Sequence, residues 1–501
     1  MSDDDMRNDD MRFEQSDDDE PELTDGISED IADLSPFAVR PTGTGNDEDL
    51  YDFDDTEYQA AADTLYADLL ARIGEGAPQP RLEATRRAVE LLGDPHRAYP
   101  IIHVTGTNGK TSTSRIAASI LTSYGLRSGL LTSPHLERVN ERIVIDGIPI
   151  SNRALAANWA DIEPFLSIVD GELEAAGEQP LTFFEALTVL AFASFADAPV
   201  DVAVIEVGMG GEWDSTNVAD GQVAVFTPIA LDHTTRLGST VEEIARTKSG
   251  IIKPVANVVS AIQQTDAAAV LTAAAELTES TISFEGDSFS LLSTTVAVGG
   301  QLISVQGLAG RYDDQFLPLF GDHQAHNAAL AIAAVESFLG GGDQMLVGDV
   351  LADGLANATS PGRLQIVGTE PTVIVDAAHN PHGAAALAES VGKYFSFDEL
   401  VVVIGVLADK DANGIIAALA PIATNFYVTQ SNSDRAVDHA DLASIVRTVD
   451  DSAIEFDSVA GALAAAREWA SESEGRGVLV TGSITLIGEA ITLARVEGWK
   501  K

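Results

Sequence analysis

The chain has 501 residues, 45% of them apolar, with 78 acidic against 29 basic side chains, a formal net charge of −49, and no cysteine. That length exceeds one ordinary hydrophobic core and implies two or three domains. Without cysteine there is no disulfide framework, thiolate nucleophile or thiolate metal site. The acidic balance argues against a nucleic-acid surface. The sequence shows neither a long uncharged apolar run nor the basic flank and apolar core of a secretory signal, so no membrane span and a cytoplasmic location are expected.

Residues 1–60 hold 22 acidic side chains against 3 arginines, with little apolar material before Tyr51. This predicts a disordered acidic tail over residues 1–52. Residues 56–93 place Tyr58, Ala61, Leu65 and Leu69, then Leu82, Ala88, Leu91 and Leu92, at helical spacing. From there to about residue 255, short β-type runs at Ile101–Val104, Gly129–Thr132, Val200–Val207 and Val223–Thr227 alternate with helical patterns, which implies a parallel sheet covered by helices. Residues 281–318 read as antiparallel hairpins added to that domain. A helical stretch starting near His326 leads to Ala-Thr-Ser-Pro-Gly at 358–362, where a boundary is expected. Beyond it, runs at Thr372–Val375, Leu400–Val406, Phe426–Thr429 and Val478–Thr481 predict a small doubly wound domain. The expected division is therefore 53–358 and 359–501.

Residues 105–112 read Thr-Gly-Thr-Asn-Gly-Lys-Thr-Ser, between an apolar strand and a helical pattern. A glycine-rich turn at that place aims several backbone N–H groups and a helix N-terminus at one spot, and Lys110 adds a full charge: a phosphate cradle. The loop is shorter than the common G-x-x-x-x-G-K-[ST] form. Thr-Ser-Pro-His-Leu at 132–136 follows the second predicted strand, so Ser133 is placed to face the phosphates. Glu206 ends an apolar strand and precedes three glycines within four residues, and a carboxylate there suits a magnesium ion that bridges phosphates. His233 in Leu-Asp-His-Thr and Lys248 in Arg-Thr-Lys-Ser-Gly-Ile-Ile-Lys are the remaining polar groups set among apolar runs.

The ordered series GTNGKTS, TSPHL…VNERI, EVGMGGEWDSTN, LDHTTRLG…ARTKSGIIK, GDHQAHNAA, PGR and DAAHNP resembles the dihydrofolate synthase/folylpolyglutamate synthase family of the Mur ligase superfamily, over roughly residues 60–490. The resemblance implies an α/β fold. A P-loop Mur-ligase-type domain with a parallel sheet and a small antiparallel extension is followed by a smaller Rossmann-like domain. It implies ATP bound by Gly106, Thr107, Asn108, Gly109, Lys110, Thr111 and Ser112, with Asn327, Arg363 and Asp376 as further nucleotide contacts. Two Mg2+ sites are implied, with Ser133 and Glu206 at the first and His233 at the second. Lys248 matches a lysine that the family carries N-carboxylated, which turns a cation into a metal-holding carboxylate and requires burial to depress its pKa. Thr182, Trp213, Asp214 and Ser215 correspond to pterin-substrate positions, and His379 to a residue near the incoming glutamate.

The implied activity is ATP-dependent addition of L-glutamate to dihydropteroate and to reduced folates through an acyl phosphate, by a monomer. Two departures stand out: Ala377 where the family has glycine, and Ile484-Thr485 where it has Leu-Tyr. A cell-wall Mur ligase is the nearest alternative, but the chain before Ile101 is too short for that enzyme's separate N-terminal domain. A P-loop NTPase of another class lacks a reason for the metal constellation and has no basic track for a polymer.

Overall fold

The computed structural model describes residues 56–500, apart from 76, 78 and 452; the acidic segment 1–52 lies outside the described residues. Strands β1 (Ile101–Thr105), β2 (Ser128–Leu131), β3 (Ile143–Ile145), β4 (Ile148–Pro149), β5 (Val202–Glu206), β6 (Val223–Phe226), β7 (Asn257–Ser260) and β8 (Thr281–Phe284) form one sheet in the order β4-β3-β2-β5-β1-β6-β7-β8. It is parallel from β2 to β8, and β3 and β4 extend one edge antiparallel.

Both faces are covered, which is why β1 and β5 are buried at every residue and read as nearly unbroken apolar runs. Alternate residues serve opposite faces. Ile101, Leu131, Ala203 and Ile205 pack with Leu65, Leu69, Ala88, Leu155, Leu190 and Phe192 from four helices: Gln59–Leu70, Glu83–Leu91, Asn152–Ala175 and Phe183–Asp197. Ile102, Val104, Val204 and Val225 pack with Ile116 and Ile120 of helix Lys110–Ser123 and with helix Asp322–Gly340. The latter is enclosed between this sheet and a second, antiparallel one made of β9 (Ser290–Ala297), β10 (Gly300–Gln306) and β11 (Arg311–Leu317). Surrounded on several sides, it has no broad polar face, and Ala328 to Val335 are all fully buried.

The helix that bears Lys110 is seated by a close contact. Helix Gly348–Ala356 crosses it with Gly354 against Ile120, and Ser119 Oγ donates to the Gly354 carbonyl at 2.7 Å. A Cβ on residue 354 would stand 2.7 Å from Ile120 Cα, a backbone atom that cannot step aside alone. Gly354→Ala is therefore expected to lower unfolding stability by about 1–2 kcal/mol in a urea titration, because overpacking outweighs the gain in helix propensity. An unchanged or raised midpoint would contradict this seating.

The second sheet system comprises β12 (Gln365–Thr369), β13 (Thr372–Asp376), β14 (Glu399–Ile404), β15 (Asn425–Val428), β16 (Ile454–Glu455) and β17 (Arg476–Thr481), ordered β12-β13-β17-β14-β15-β16. It is parallel apart from β12. Helices Pro381–Tyr394, Ala412–Leu419 and His439–Val446 cover one face, and Val459–Ser471 and Ile484–Val496 the other, so it is doubly wound as expected.

Two expectations need correction. Of residues 281–318, only β9 to β11 form antiparallel hairpins. Thr281–Phe284 pairs parallel with β7, because helix Thr265–Leu277 supplies the crossover that a parallel neighbour needs. The helix expected near His326 begins at Asp322, just after Gly321. Among the described residues no helix is long and apolar enough to cross a membrane.

Candidate active site

In the large sheet β2, β5, β1 and β6 are neighbours, so the loops leaving their carboxyl ends share one rim. Facing that rim are loops of the second α/β unit, and between them lies a cleft of about 2230 Å³. Every site residue expected from the sequence lines it, from Gly106 to Ser112, through Ser133, Thr182, Glu206, Trp213 to Ser215, His233, Lys248 and Asn327, to Arg363, Asp376 and His379.

The loop after β1 is shaped by close approach. A Cβ on Gly106 would lie 1.8 Å from Thr227 Oγ1, and one on Gly109, at φ +93°, would lie 2.4 Å from Asn327 Oδ1. Only glycine allows these contacts. Lys110 Nζ folds back onto the carbonyls of Gly106 and Thr107, each at 3.3 Å. Burial lowers its pKa, opposed by the negative charges of Glu206 and Asp232. Ser112 does not aim its hydroxyl at the cleft centre; it pairs with Ser360 Oγ at 2.9 Å.

Glu206 is 1% exposed. Its oxygens accept from Thr111 Oγ1 at 2.9 and 3.0 Å and from the Ser133 backbone N–H at 3.3 Å. Burial raises its pKa, against the pull of Lys110 and these hydrogen bonds. A buried carboxylate held by one hydroxyl and one backbone N–H suits a divalent cation that takes its remaining ligands from phosphate and water.

In the last turn of helix Val241–Ser249, Lys248 is fully enclosed, 4% exposed, with Nζ 2.7 Å from the Gly106 carbonyl. Burial, reinforced by the Lys110 charge, pushes its pKa down to about 7. His233, in left-handed backbone at φ 49°, is pushed down to about 4, chiefly by burial, so its ring is neutral near pH 7 and able to coordinate a metal. Among the described residues no group of three His, Asp or Glu side chains is arranged to hold a metal by itself. A carboxylate made on Lys248 would supply a donor that the unmodified residues lack.

Residues of the second unit reach across. Asn380 donates to Asn108 Oδ1 at 3.0 Å and to Asp232 Oδ2 at 3.3 Å. His379 Nε2 lies 3.7 Å from Asp232, while its Nδ1 donates to the Ala377 carbonyl at 2.9 Å. Asp376 is tied to its own loop, accepting from the backbone N–H groups of Leu364 and Ala378, both at 2.8 Å. Lys410, which the sequence reading missed, is buried and bonds Asp232 Oδ1 at 3.0 Å. Although burial raises the Asp232 pKa, His379, His233 and Lys410 together hold the carboxyl well below the ordinary range. The available signal was Asp409-Lys410-Asp411 just beyond β14, polar groups at a strand end.

The far wall of the cleft is built from helix starts. Thr182 caps helix Phe183–Asp197, accepting from Glu185 N–H at 3.2 Å, and Arg81 clamps Glu185 at 2.9 and 3.0 Å. Asp214 accepts from Met209 N–H at 2.8 Å and from Thr216 N–H at 3.0 Å and Oγ1 at 2.5 Å; burial raises its pKa against these bonds. Ser215 pairs with Thr188 Oγ1 at 2.8 Å, and Trp213 borders both this cleft and a smaller opening beside Gln79 and Arg236. Also on this wall, Arg142 forks onto Glu75 at 2.6 and 3.0 Å. Thr485 bonds Ser431 Oγ at 2.8 Å.

Residues 104–335 match the Mur ligase middle domain and residues 362–484 the Mur ligase glutamate ligase domain. The chain is 44% identical over 437 residues to a Mycobacterium tuberculosis protein named dihydrofolate synthase/folylpolyglutamate synthase, covering 83% of this chain and 90% of that one. The structure of Mycobacterium tuberculosis folylpolyglutamate synthase complexed with ADP superposes with a TM-score of 0.84 at 41% identity, covering 87% of this chain and 99% of that one. An Escherichia coli FolC in complex with DHPP and ADP gives 0.73 at 31% identity, covering 83% and 94%. Both Mur ligase domains, and relatives 31–44% identical along nearly their full length, assign this chain to the dihydrofolate synthase/folylpolyglutamate synthase family of ATP-dependent Mur ligases.

Proposed function

We propose that this protein joins L-glutamate in amide linkage both to dihydropteroate and to reduced folates, driven by ATP. The observation that carries the reading is the convergence, on one cleft, of Lys110 and Glu206 from the first unit with Asp232, His379 and Lys410 at the seam, opposite a wall of Thr182, Trp213, Asp214 and Ser215. The phosphates lie along Gly106 to Thr111, with Asn327, Arg363 and Asp376 as nucleotide contacts. The pteroyl group takes the opposite wall.

A carboxylate oxygen of the pteroyl substrate attacks the γ-phosphorus, the bond to ADP breaks, and an acyl phosphate results. The glutamate amine then attacks the carbonyl carbon, loses a proton, and phosphate leaves. Both steps gather negative charge, so the chain's task is electrostatic preorganisation: Lys110 swings from its loop carbonyls to the β- and γ-phosphate oxygens, and no protein nucleophile is needed. Two Mg2+ ions fit the donors present, one at Glu206 with Ser133 and one at His233 with N-carboxylated Lys248; when bound they neutralise phosphate charge. His379, beside Asp232, stands where the incoming amine is positioned. The domain seam excludes water, which an acyl phosphate would otherwise meet.

On this reading the division falls at 358/359, in the loop before β12, and the working unit is a monomer in the cytoplasm, since one chain supplies both walls. The deciding experiment is a coupled ADP-release assay with glutamate, offering dihydropteroate, tetrahydrofolate or a muramyl nucleotide. Turnover is expected with each pteroyl substrate and none with the muramyl nucleotide. Glutamate-dependent turnover with the last alone would transfer the protein to cell-wall chemistry, and ATP hydrolysis indifferent to glutamate would make it an NTPase of another class.

A further inference from the structure

On the wall assigned above to the pteroyl substrate, four polar side chains form a line whose hydrogen-bond direction is fixed from one end. Arg142, its side chain 3% exposed and its guanidinium 5.1 Å from the centroid of the Phe183 ring, gives both terminal nitrogens to Glu75. Its Nε reaches His135 Nδ1 at 2.7 Å. An arginine nitrogen only donates, so His135 Nδ1 must be the bare, accepting nitrogen of a neutral imidazole, and the ring hydrogen must sit on Nε2. That Nε2 lies 3.2 Å from the hydroxyl of Tyr66, the two rings meeting edge to face at 72°. The imidazole therefore donates and the phenol oxygen accepts. The hydroxyl hydrogen has no place on the His135 side and turns toward the cleft that Tyr66 lines.

We propose that Tyr66 is a specificity-determining residue that presents its phenolic proton to an acceptor atom of the pteroyl substrate, a ring carbonyl or unprotonated ring nitrogen, with the direction set by Glu75, Arg142 and His135. This rests on the reading that this wall receives the pteroyl group. Tyrosine alone could give or take a hydrogen bond and would tolerate either edge of a ligand. Locked as a donor, it rejects a ligand that offers only N–H at that position, because two donors would face each other in a partly desolvated site.

The test combines kinetics and proton placement on the full chain. Tyr66→Phe is expected to raise the KM for dihydropteroate or tetrahydrofolate about 5- to 10-fold, the loss of one neutral hydrogen bond, without changing the KM for ATP. His135→Glu places an acceptor where Nε2–H was, turns the phenol proton away from the cleft, and is expected to match that loss; the double variant should then be no worse than His135→Glu alone. Neutron diffraction from deuterated wild-type crystals is expected to show deuterium on His135 Nε2 and none on Nδ1, with the Tyr66 deuteron pointing away from the imidazole. Deuterium on Nδ1, or a Tyr66 deuteron aimed at Nε2, overturns the proposal even if the variants fold poorly. An unchanged pteroyl KM in Tyr66→Phe overturns it while wild-type turnover leaves the functional reading intact. Absence of wild-type turnover with either pteroyl substrate defeats the functional reading instead.

Discussion

Lys110→Ala is expected to cut kcat/KM in the glutamate-dependent ADP assay by about 1000-fold, the scale on which removing one preorganised charge from a transition state is felt. The ammonium is held only by two loop carbonyls at 3.3 Å, so it is released easily to a nucleotide that offers charged oxygens. It is also partly stripped of solvent, which strengthens whatever charge it meets. Lys110→Arg should not restore the rate, since a planar guanidinium is too large for the turn formed by Gly106 and Gly109. Activity within tenfold of wild type in either variant would remove this residue from the phosphate site. Thermal denaturation of the same samples separates a lost charge from a lost fold.

The second large effect concerns Lys248. With its pKa pushed down to about 7, about half of the amine is neutral at pH 7, against about one in a few thousand for an ordinary lysine. Only the neutral amine has the lone pair that attacks carbon dioxide. Stripping carbon dioxide from the buffers is therefore expected to lower kcat, and bicarbonate to restore it, while Lys248→Met should lose about 100-fold and ignore bicarbonate. A wild-type rate independent of carbon dioxide would refute the carbamate.

Stability gives an independent readout. In metal-free, carbon-dioxide-free protein the folded pKa lies below that of the unfolded chain, so the unfolded state binds more protons between the two values. The resulting penalty is full below pH 7, shrinks as pH climbs toward 10 and vanishes above that. Lys248→Met should accordingly unfold at higher urea than wild type at pH 6, by an amount on the order of a few kcal/mol, with the gap closing at alkaline pH. A gap that widens with pH would mean that the amine is not buried as described.

What could be read without coordinates follows a physical pattern. The loop from Gly106 to Ser112 was readable because its chemistry demands glycines and a lysine at fixed offsets after a strand. Glu206 was readable because a carboxylate at the end of an apolar strand has few reasons to be there. Most parallel strands were visible as apolar runs, with ends shifted by a residue or two. The Asp232–Lys410 pair was not, since its partners are 178 positions apart and meet only through the packing of two domains. Nor was the row from Glu75 to Tyr66, whose members look like ordinary surface polars until a helix, a loop and a turn are brought together. Thr281–Phe284 looked like the hairpins after it because composition says nothing of direction. Ser112 and Thr182 both line the cleft, but a motif says nothing of local partners: one hydroxyl pairs with Ser360 and the other caps a helix.

Glu137, in the loop after β2 that also carries Ser133, is gripped by Thr492 and by Arg495 at 2.8 and 2.9 Å, and the Leu136 carbonyl would lie 2.3 Å from a Cβ on Gly488. That brace belongs to the helix Ile484–Val496, synthesised more than three hundred residues after the loop it steadies. A nascent polypeptide can thus form its phosphate turn and the local bonds of this loop early, while the brace from residues 488, 492 and 495 is among the last contacts the loop gains.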